Sequence, residues 1–356
     1  MTTINLVIFG IGNVGSTLIN QIADLKPKLI KNQEINLKIP VITNSKLAFF
    51  TDDTDHNWKA DFEQFSVPYK IEDILNYVKT KKFQNLIAID VTASTEFVHN
   101  YNTLIASGFH IISANKVANT LDFEFYNTLR QTLKKYDKKY LYETNVGAGL
   151  PVIETVKNLH NSGEDITKIR GVFSGSLSYI FNRFSAEEEA FSNILNAAAK
   201  EGLTEPDSRD DLSGKDVARK LLILARELGL KPELSDVKIE TLVPKRLNGK
   251  TTLKQFKHRV TELNPVFEKS KRAQKPESVL RYVGELNTKN NTLEVKLVSE
   301  PKASPLGQLK GADTLFELYT ESYVNQPLVI QGAGAGKAVT ARGVLSDILK
   351  IASQLH

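Results

Sequence analysis

An apolar segment, a glycine-rich turn and a helical segment follow one another at the start of the chain. Residues 4–9, Ile-Asn-Leu-Val-Ile-Phe, form the continuous apolar run that is typical of a buried parallel strand. Gly10, Gly12 and Gly15 follow in the pattern GxGxxG, and a helix is predicted for residues 16–25. In this context glycines permit a tight turn, close approach of the backbone to a pyrophosphate and packing of helix on strand. A dinucleotide site is favoured over a plain turn, with contacts predicted from Gly10, Gly12, Asn13, Val14 and Gly15.

Strands and helices continue to alternate through the first 145 residues. Further strands are predicted at 37–43, 85–91, 109–113 and 140–143. Helices are predicted at 71–80, 96–107 and 122–136. This alternation is typical of an α/β protein with a Rossmann-like, doubly wound parallel sheet and right-handed crossovers. A last apolar helix is predicted at 339–354, so we assign residues 1–145 and 334–356 to this dinucleotide-binding domain.

The pattern changes after residue 145, and residues 146–333 are predicted to form a second, α+β domain. Its strands are predicted at 166–174, 278–286 and 292–299. Its helices are predicted at 176–184, 189–201, 213–228 and 252–268. The lysine-rich stretch 269–275 is predicted to be a loop.

Polar residues follow several strands of the first domain. Ligands of open α/β sheets bind beyond the carboxyl ends of strands, so Thr92, Ser94 and Lys116 are candidate cofactor contacts. A solvent-facing lysine is the alternative for Lys116. No acidic residue follows the second strand before Asp52, which indicates that NADP is tolerated. Lys46 is either a partner of the 2′-phosphate or a solvated surface lysine, and the sequence does not decide between them.

Composition restricts the classes of function. The chain has 356 residues, a net charge of +5 and scattered lysines, which gives no indication of nucleic-acid binding. It has no cysteine, which excludes disulfides, thiolate zinc sites, iron–sulfur clusters and a thiol nucleophile. No signal peptide or apolar run of about 20 residues is found, so a cytoplasmic location and no membrane contact are predicted. The histidines do not show the spacing that is typical of zinc ligands. We interpret all six as surface or helix residues: His56, His99, His110, His160, His258 and His356.

A cluster of charged residues precedes and enters the predicted helix 213–228. Asp216 and Lys220 are four residues apart and share a helix face. Four further carboxylates lie just before them, at Glu205, Asp207, Asp210 and Asp211. Such a cluster suits a small zwitterion and a proton that must be moved. The alternative is a solvated helix cap with a surface ion pair worth a few tenths of a kcal/mol.

The glycine-rich stretch Gly332–Gly336 before the last helix is similar to a phosphate loop but departs from that template. Gln331 stands where the first glycine should be, and Ala338 replaces the Ser or Thr that would hold magnesium. A kinase is therefore excluded. A glycine loop that opens a helix can still approach a cofactor closely, and Gly334 is the residue predicted to do so.

Taken together, these segments resemble homoserine dehydrogenase over nearly the whole chain. The similarity is greatest to the dehydrogenase half of the bifunctional aspartokinase-homoserine dehydrogenases, here expected to stand alone without a kinase or a regulatory domain. The segments that carry the resemblance are GIGNVG (10–15), SANK (113–116), ETNVGAGLPVIE (143–154), GVFSGSLSYIFN (171–182), GLTEPDSRDDLSGKDVARKLLILARE (202–227), LRYVG (280–284) and GAGAGKAVTARGVLSDIL (332–349).

The resemblance implies NAD(P)-dependent interconversion of L-homoserine and L-aspartate 4-semialdehyde in threonine, methionine and isoleucine synthesis. It implies Lys220 as the acid/base residue, with Glu205 and Asp216 on the substrate. Lys116 would lie near the nicotinamide and the reacting oxygen, and Gly202 would also contact the cofactor. A second domain that binds substrate and forms a homodimer or homotetramer is implied as well. A monovalent cation, expected to be sodium, would be held by Glu143 and the carbonyl groups of Val146, Ala148 and Leu150.

Some alternatives stay open at the level of sequence. Lys337 and Arg342 add positive charge near the last glycine loop and could either strengthen or obstruct NADP binding. The chain could also be a catalytically silent NADP-binding sensor, or an oxidoreductase for another amino-acid-derived alcohol or aldehyde. Because lysine side chains are mostly protonated at neutral pH, an acid/base lysine predicts faster alcohol oxidation at alkaline pH.

Overall fold

The computed structural model describes residues 1–54, 57–249 and 251–355, so His56 and His356 lie outside the described residues. The chain divides into two compact units. The first comprises Met1–Gly149 and the C-terminal residues from Gly336 onward, and the second comprises Leu150–Ala335. The sequence placed these boundaries a few residues earlier. Within the described ranges every helix is too short or too polar to span a bilayer.

The strands and helices of both units are numbered along the chain. The strands are β1 Thr2–Phe9, β2 Ile35–Thr43, β3 Leu47–Phe50, β4 Val67–Pro68, β5 Leu86–Asp90, β6 His110–Ser113, β7 Tyr140–Leu141, β8 Ile166–Val172, β9 Lys238–Ile239, β10 Ser278–Asn287, β11 Thr292–Pro301, β12 Thr314–Thr320 and β13 Leu328–Gly332. The helices are α1 Asn13–Gln33, α2 Trp58–Phe65, α3 Ile71–Thr80, α4 Tyr101–Ala106, α5 Val117–Thr120, α6 Phe123–Lys135, α7 Val152–Asn161, α8 Gly175–Ala186, α9 Phe191–Lys200, α10 Ser208–Leu212, α11 Lys215–Glu227, α12 Leu253–Arg259, α13 Asn264–Arg272, α14 Pro305–Gln308 and α15 Lys337–Leu355.

The first unit is built on a sheet with strand order β4-β3-β2-β1-β5-β6-β7. The pairs from β2 through β7 are parallel, which confirms the predicted Rossmann-like class. β3 and β4 extend the sheet with antiparallel pairing and were not predicted. The central strand β1 is buried on both faces, through Leu6 and Ile8 on one face and Val7 and Phe9 on the other, which explains its continuous apolar run. α15 packs beside α1, where the Gln21 side chain donates a hydrogen bond to the Ala338 carbonyl (3.1 Å).

Two helices of the first unit differ from their predicted bounds. α1 continues past residue 25 and through Pro27, because Leu29 adds to the buried face formed by Leu18 and Ile22. The segment predicted as one helix at 96–107 is a 3-10 turn, Phe97–Asn100, followed by the short α4. In both cases tertiary packing overrides the local preference of the sequence.

The second unit is built on a sheet with strand order β13-β12-β8-β10-β11-β9. Its pairing is antiparallel except between β11 and β9. Three of the strands, β9, β12 and β13, were not predicted. β12 is buried almost throughout, and so it shows none of the alternation that reveals a half-buried strand. The α+β character expected for this part of the chain is therefore confirmed.

The helices of the second unit correct two predictions. The helix predicted at 252–268 is divided into α12, a 3-10 turn and α13. α13 extends to Arg272, so the loop predicted at 269–275 is wrong over its first four residues. The reason is that Phe267 is buried and stacks on Phe191 at 3.6 Å between ring centroids, which holds this helix against α9. α11 begins at Lys215 rather than 213, because Gly214 adopts the left-handed conformation (φ 73°).

Candidate active site

The glycine turn after β1 is shaped as the sequence predicted. Gly10 has a φ of +102°, which favours glycine. A Cβ atom on Gly15 would lie 2.0 Å from the Gly10 carbonyl oxygen, so this position requires glycine for the packing of α1. A Cβ atom on Gly12, by contrast, would meet nothing within 4 Å. Gly12 caps α1 without a side-chain hydrogen bond, and Asn13 begins the helix. The amide groups of this first turn can therefore face an anion in the open space beside Gly12.

The ends of β5 and β6 lie side by side and are joined by one amide side chain. The Asn115 side-chain nitrogen donates to the Ser94 carbonyl (2.8 Å) and to the Asp90 carboxylate (3.1 Å). A Cβ atom on Gly10 would lie 3.0 Å from the Thr92 methyl group, so the glycine turn also borders this edge. Lys116 is half-buried at the start of α5. Of the predicted contacts, Thr92 and Ser94 follow β5, and Lys116 follows the neighbouring strand β6. They therefore lie after the carboxyl ends of adjacent strands, at the edge of the sheet that the Gly10 turn also borders.

Lys46, Lys337 and Arg342 are exposed. Lys46 lies in the turn between β2 and β3, where its amide donates to the Asn44 side-chain oxygen (2.8 Å). Lys337 is the first residue of α15, and Arg342 lies in the second turn of that helix. The exposure of the three side chains is compatible both with contact to a phosphate and with simple solvation.

Lys220 is the candidate acid/base residue, and it belongs to the second unit. It lies on α11 and is only 8% exposed. Its amine nitrogen is 2.8 Å from the Asp216 carboxylate, as the four-residue spacing predicts, and donates to the Phe173 carbonyl at 2.7 Å. These contacts use two of the three N–H groups of an ammonium, and the described residues offer no partner for the third. The lysine is thus held at two points with one donor to spare.

Asp211 fixes the loop that carries Glu205. One carboxylate oxygen of Asp211 accepts a hydrogen bond from the Glu205 amide (2.9 Å), and the other accepts one from the Ser176 hydroxyl (2.6 Å). Burial raises the pKa of the Asp211 carboxyl above its ordinary value. The sequence did not single out Ser176, although it lies just after β8 in a Ser-Gly-Ser sequence. Its hydroxyl is also 2.9 Å from that of Ser174, the residue after the Phe173 carbonyl that binds Lys220.

The remaining carboxylates of the cluster have different surroundings. Glu205 is exposed and lines a cavity of about 400 Å³. Lys257 is one of the other residues that line this cavity. Asp207 caps α10 by accepting from the Arg209 amide and pairs with the Arg209 side chain. Asp210 is exposed. The cluster therefore contains both a helix cap at Asp207 and a buried connection through Asp211, and the role of the cluster in binding a zwitterion stays a prediction.

Gly202 and Gly334 have structural roles that account for their identity. Gly202 follows the end of α9 with a φ of +71°, which is the usual glycine position after a helix. Gly334 belongs to the second unit, whereas the sequence assigned it to the dinucleotide-binding domain. A Cβ atom on Gly334 would lie 2.0 Å from the Thr314 hydroxyl oxygen, so close packing against β12 requires glycine there. A cofactor contact at either residue stays a prediction.

The segment 143–150 offers oxygen atoms of the kind that bind monovalent cations. Glu143 is buried and its amide donates to the Asp347 carboxylate (3.0 Å). The carbonyl groups of Val146 and Ala148, both buried residues, accept no hydrogen bond from the described part of the chain. Ala148 is held at a φ of +52°, which is uncommon for a residue with a side chain. The Leu150 carbonyl accepts from the Val152 amide (2.9 Å) in the second unit.

The fold of the first unit and the charged site of the second define a two-domain protein of the dinucleotide-binding class. Residues 10–143 match the family model described as homoserine dehydrogenase, NAD binding domain. Residues 151–349 match the family model described as homoserine dehydrogenase. This chain belongs to the homoserine dehydrogenase family.

Individual relatives agree with this assignment. The chain is 42% identical to the bifunctional aspartokinase/homoserine dehydrogenase of Buchnera aphidicola, over 99% of the chain and 43% of that protein. It is 34% identical to homoserine dehydrogenase of Schizosaccharomyces pombe, over 100% of the chain and 97% of that protein. The chain thus spans about two fifths of the length of the bifunctional relatives it matches, such as those of Buchnera aphidicola and Haemophilus influenzae.

Solved structures share the fold. A crystal structure of a protein of unknown function from Candida auris superposes with a TM-score of 0.91 at 33% identity and covers 99% of both chains. A hyperthermophilic archaeal homoserine dehydrogenase in complex with NADPH gives a TM-score of 0.76 at 21% identity, with coverage of 99% of this chain and 98% of that one. At this lower identity the likeness concerns the fold alone.

Proposed function

We propose that this chain catalyses the interconversion of L-homoserine and L-aspartate 4-semialdehyde. The observation that carries the proposal is the buried Lys220 amine, which contacts the Asp216 carboxylate and the Phe173 carbonyl and has no third partner among the described residues. An ammonium fixed in this way can donate a proton to the oxygen of an aldehyde and stabilise the charge that develops there. Family membership of the whole chain, including the likeness to the Schizosaccharomyces pombe enzyme, supports the substrate assignment.

In the reduction of the semialdehyde, Lys220 gives its proton to the aldehyde oxygen as the carbonyl carbon receives a hydride. A bound nicotinamide cofactor would supply that hydride. In the reverse reaction the neutral amine accepts the hydroxyl proton of homoserine, so oxidation is expected to be faster at alkaline pH. Glu205 suits the substrate ammonium through a charge-assisted hydrogen bond, and Asp216 combines a substrate contact with the orientation of Lys220. Lys116 is assigned to the nicotinamide side of the reacting carbon.

The cofactor is assigned to the first unit. The open space beside Gly12 and the exposed start of α1 fit a pyrophosphate, and Thr92 and Ser94 border the same edge. Gly10, Asn13, Val14 and Gly15 complete the turn. We assign NADP rather than NAD as the preferred cofactor, because the exposed Lys46 follows β2 where an acidic residue would favour NAD.

A monovalent cation, sodium in the first instance, is assigned to the segment 143–150. The buried carbonyl groups of Val146 and Ala148 and the carboxylate of Glu143 are the oxygen ligands that such a cation takes, and the Leu150 carbonyl is assigned with them. We further assign a homodimer or homotetramer formed through the second unit. The cytoplasmic location stays a prediction.

The test is a spectrophotometric assay of the purified chain. NADPH or NADH oxidation would be followed with L-aspartate 4-semialdehyde, and NADP or NAD reduction with L-homoserine. Turnover with both substrates is expected, with the lower KM for the phosphorylated cofactor. No turnover with either cofactor, despite measurable cofactor binding, would favour the silent sensor. Turnover only with other amino-acid-derived aldehydes would favour a different substrate.

A further inference from the structure

A buried carboxylate at the carboxyl end of β5 has no part in the chemistry described so far. Asp90 is 1% exposed. One of its oxygens accepts from the Thr92 amide at 2.8 Å. The other accepts from the Tyr101 hydroxyl at 2.6 Å and from the Asn115 side-chain nitrogen at 3.1 Å. Three donors from three different segments of the first unit therefore converge on this one carboxylate.

These donors belong to a closed ring of buried hydrogen bonds. The Tyr101 hydroxyl is 2.9 Å from the Ser113 hydroxyl, which accepts from the Asn115 amide, also at 2.9 Å. The Asn115 side chain then bridges to the Ser94 carbonyl at 2.8 Å. The Tyr101 ring packs edge-on against Phe97 and Tyr140, which limits its movement. The same ring therefore fixes Thr92 and Ser94 after the end of β5 and Asn115 and Lys116 after the end of β6.

The ring requires a group at position 90 that only accepts hydrogen bonds. Burial raises the pKa of the Asp90 carboxyl, while the hydrogen bonds from its donors oppose this shift. An isosteric amide would place an NH₂ group either against the Thr92 amide or against the donors from Tyr101 and Asn115. A carboxylate satisfies all three donors, and an asparagine leaves at least one N–H facing another N–H.

We propose that Asp90 is a positioning residue that sets the geometry of two candidate cofactor segments, 92–94 and 115–116, through Asn115 and the Thr92 amide. This inference rests on the proposed function, because it takes these segments as the cofactor side of the site. Asp90 does not contact the cofactor itself. Its effect is on the affinity for the cofactor, and not on the binding of the amino-acid substrate.

The test uses D90N in the full chain, with D53N as the matched control. Asp53 lies in the same unit and also accepts backbone hydrogen bonds, from Ile39 (3.2 Å) and Thr54 (2.9 Å), and pairs with Lys26. None of these partners belongs to the candidate cofactor segments. NADPH affinity would be measured by fluorescence titration, together with KM for each substrate and the thermal unfolding midpoint. D90N is expected to weaken NADPH binding about tenfold, as the loss of a buried hydrogen bond to a charged group does. The KM for the semialdehyde should change little, and D53N should keep wild-type affinity.

Y101F is the second variant, and it carries the test if D90N does not fold. It removes one donor from Asp90 without touching segments 92–94 or 115–116, and a smaller loss of NADPH affinity is expected. Its effect should not add fully to that of D90N, since both variants disturb the same group of connected hydrogen bonds. Folded variants that bind NADPH as well as the wild type would overturn the inference. If the wild-type chain itself binds neither NADPH nor NADH, the proposed function fails, which is a distinct result.

Discussion

The two units carry candidate functional residues of different kinds. In the first unit the predicted cofactor contacts are mostly backbone groups at strand ends. The space beside Gly12 is open, and the Asp90 carboxylate accepts a hydrogen bond from the Thr92 amide. In the second unit the candidate reactive groups are charged side chains, with Lys220 held by Asp216 on the same helix and by the Phe173 carbonyl just after β8. A backbone site is sensitive to added volume, whereas a side-chain site is sensitive to the loss of one functional group. Mutations in the two units should therefore change different kinetic parameters.

The largest effect is expected in the second unit, from K220A. Loss of the acid/base amine should lower kcat by about 10³-fold, within the range for general acid–base catalysis. Cofactor binding should persist, because Lys220 belongs to the other unit. K215A is the matched control, as Lys215 lies on the same helix and is exposed. Steady-state rates with NADPH and semialdehyde check this. Near-wild-type turnover of K220A would show that another residue is the acid/base group, and Lys116 would be the first candidate.

The second-largest effects are expected in the glycine turn, from alanine at Gly12 and at Gly15. G12A adds a methyl group where the protein leaves open space, so NADPH affinity should fall about tenfold by obstruction of the pyrophosphate. Its stability should fall by about 1 kcal/mol or less, the usual cost of alanine at a helix cap. G15A, whose methyl group would meet the Gly10 carbonyl, should instead destabilise the fold by about 3 kcal/mol. Chemical denaturation and NADPH titration separate the two. Equal stability of both variants would contradict the packing role of Gly15.

A smaller effect tests the support of the Glu205 loop. D211A leaves the Glu205 amide and the Ser176 hydroxyl without their acceptor, so the KM for semialdehyde should rise about fivefold. The KM for NADPH should stay close to that of the wild type. D210A is the control, because Asp210 is the exposed neighbour. A parallel rise in both KM values for D211A would contradict the assignment of separate kinetic parameters to the two units.

The smallest effect concerns stability rather than catalysis. His110 was interpreted from the sequence as a surface or helix residue, but it is buried at the start of β6. Burial lowers the pKa of His110 to about 4, against 6.5 for an exposed histidine. Between these values the unfolded chain binds the proton and the folded chain does not, so stability falls as the pH decreases from 6.5 towards 4. Urea unfolding of wild type and His110→Gln at pH 7 and pH 5 measures this. The decrease on acidification should be smaller in the variant, and an equal decrease would remove His110 as the cause.

Local patterns in the sequence predicted much of the frame. The strand, glycine turn and helix at residues 4–25 and the Asp216–Lys220 pair follow from the periods of strands and helices, which act over a few residues. The short strands β3, β4, β9 and β13 and the buried β12 were missed, because their apolar patterns are short or do not alternate. The loop predicted at 269–275 was wrong where Phe267 stacking extends a helix.

By itself, the sequence determined the fold class, the family and the residue types that face the chemistry, since these depend on the order of residues along the chain. Only the tertiary structure decided the partners of those residues. The Phe173 carbonyl lies 47 positions from Lys220, and Ser176 lies 35 positions from Asp211. Asp90 meets Asn115 across 25 positions. Contacts of this range depend on how strands and helices pack, and no local period of apolar or charged residues specifies them.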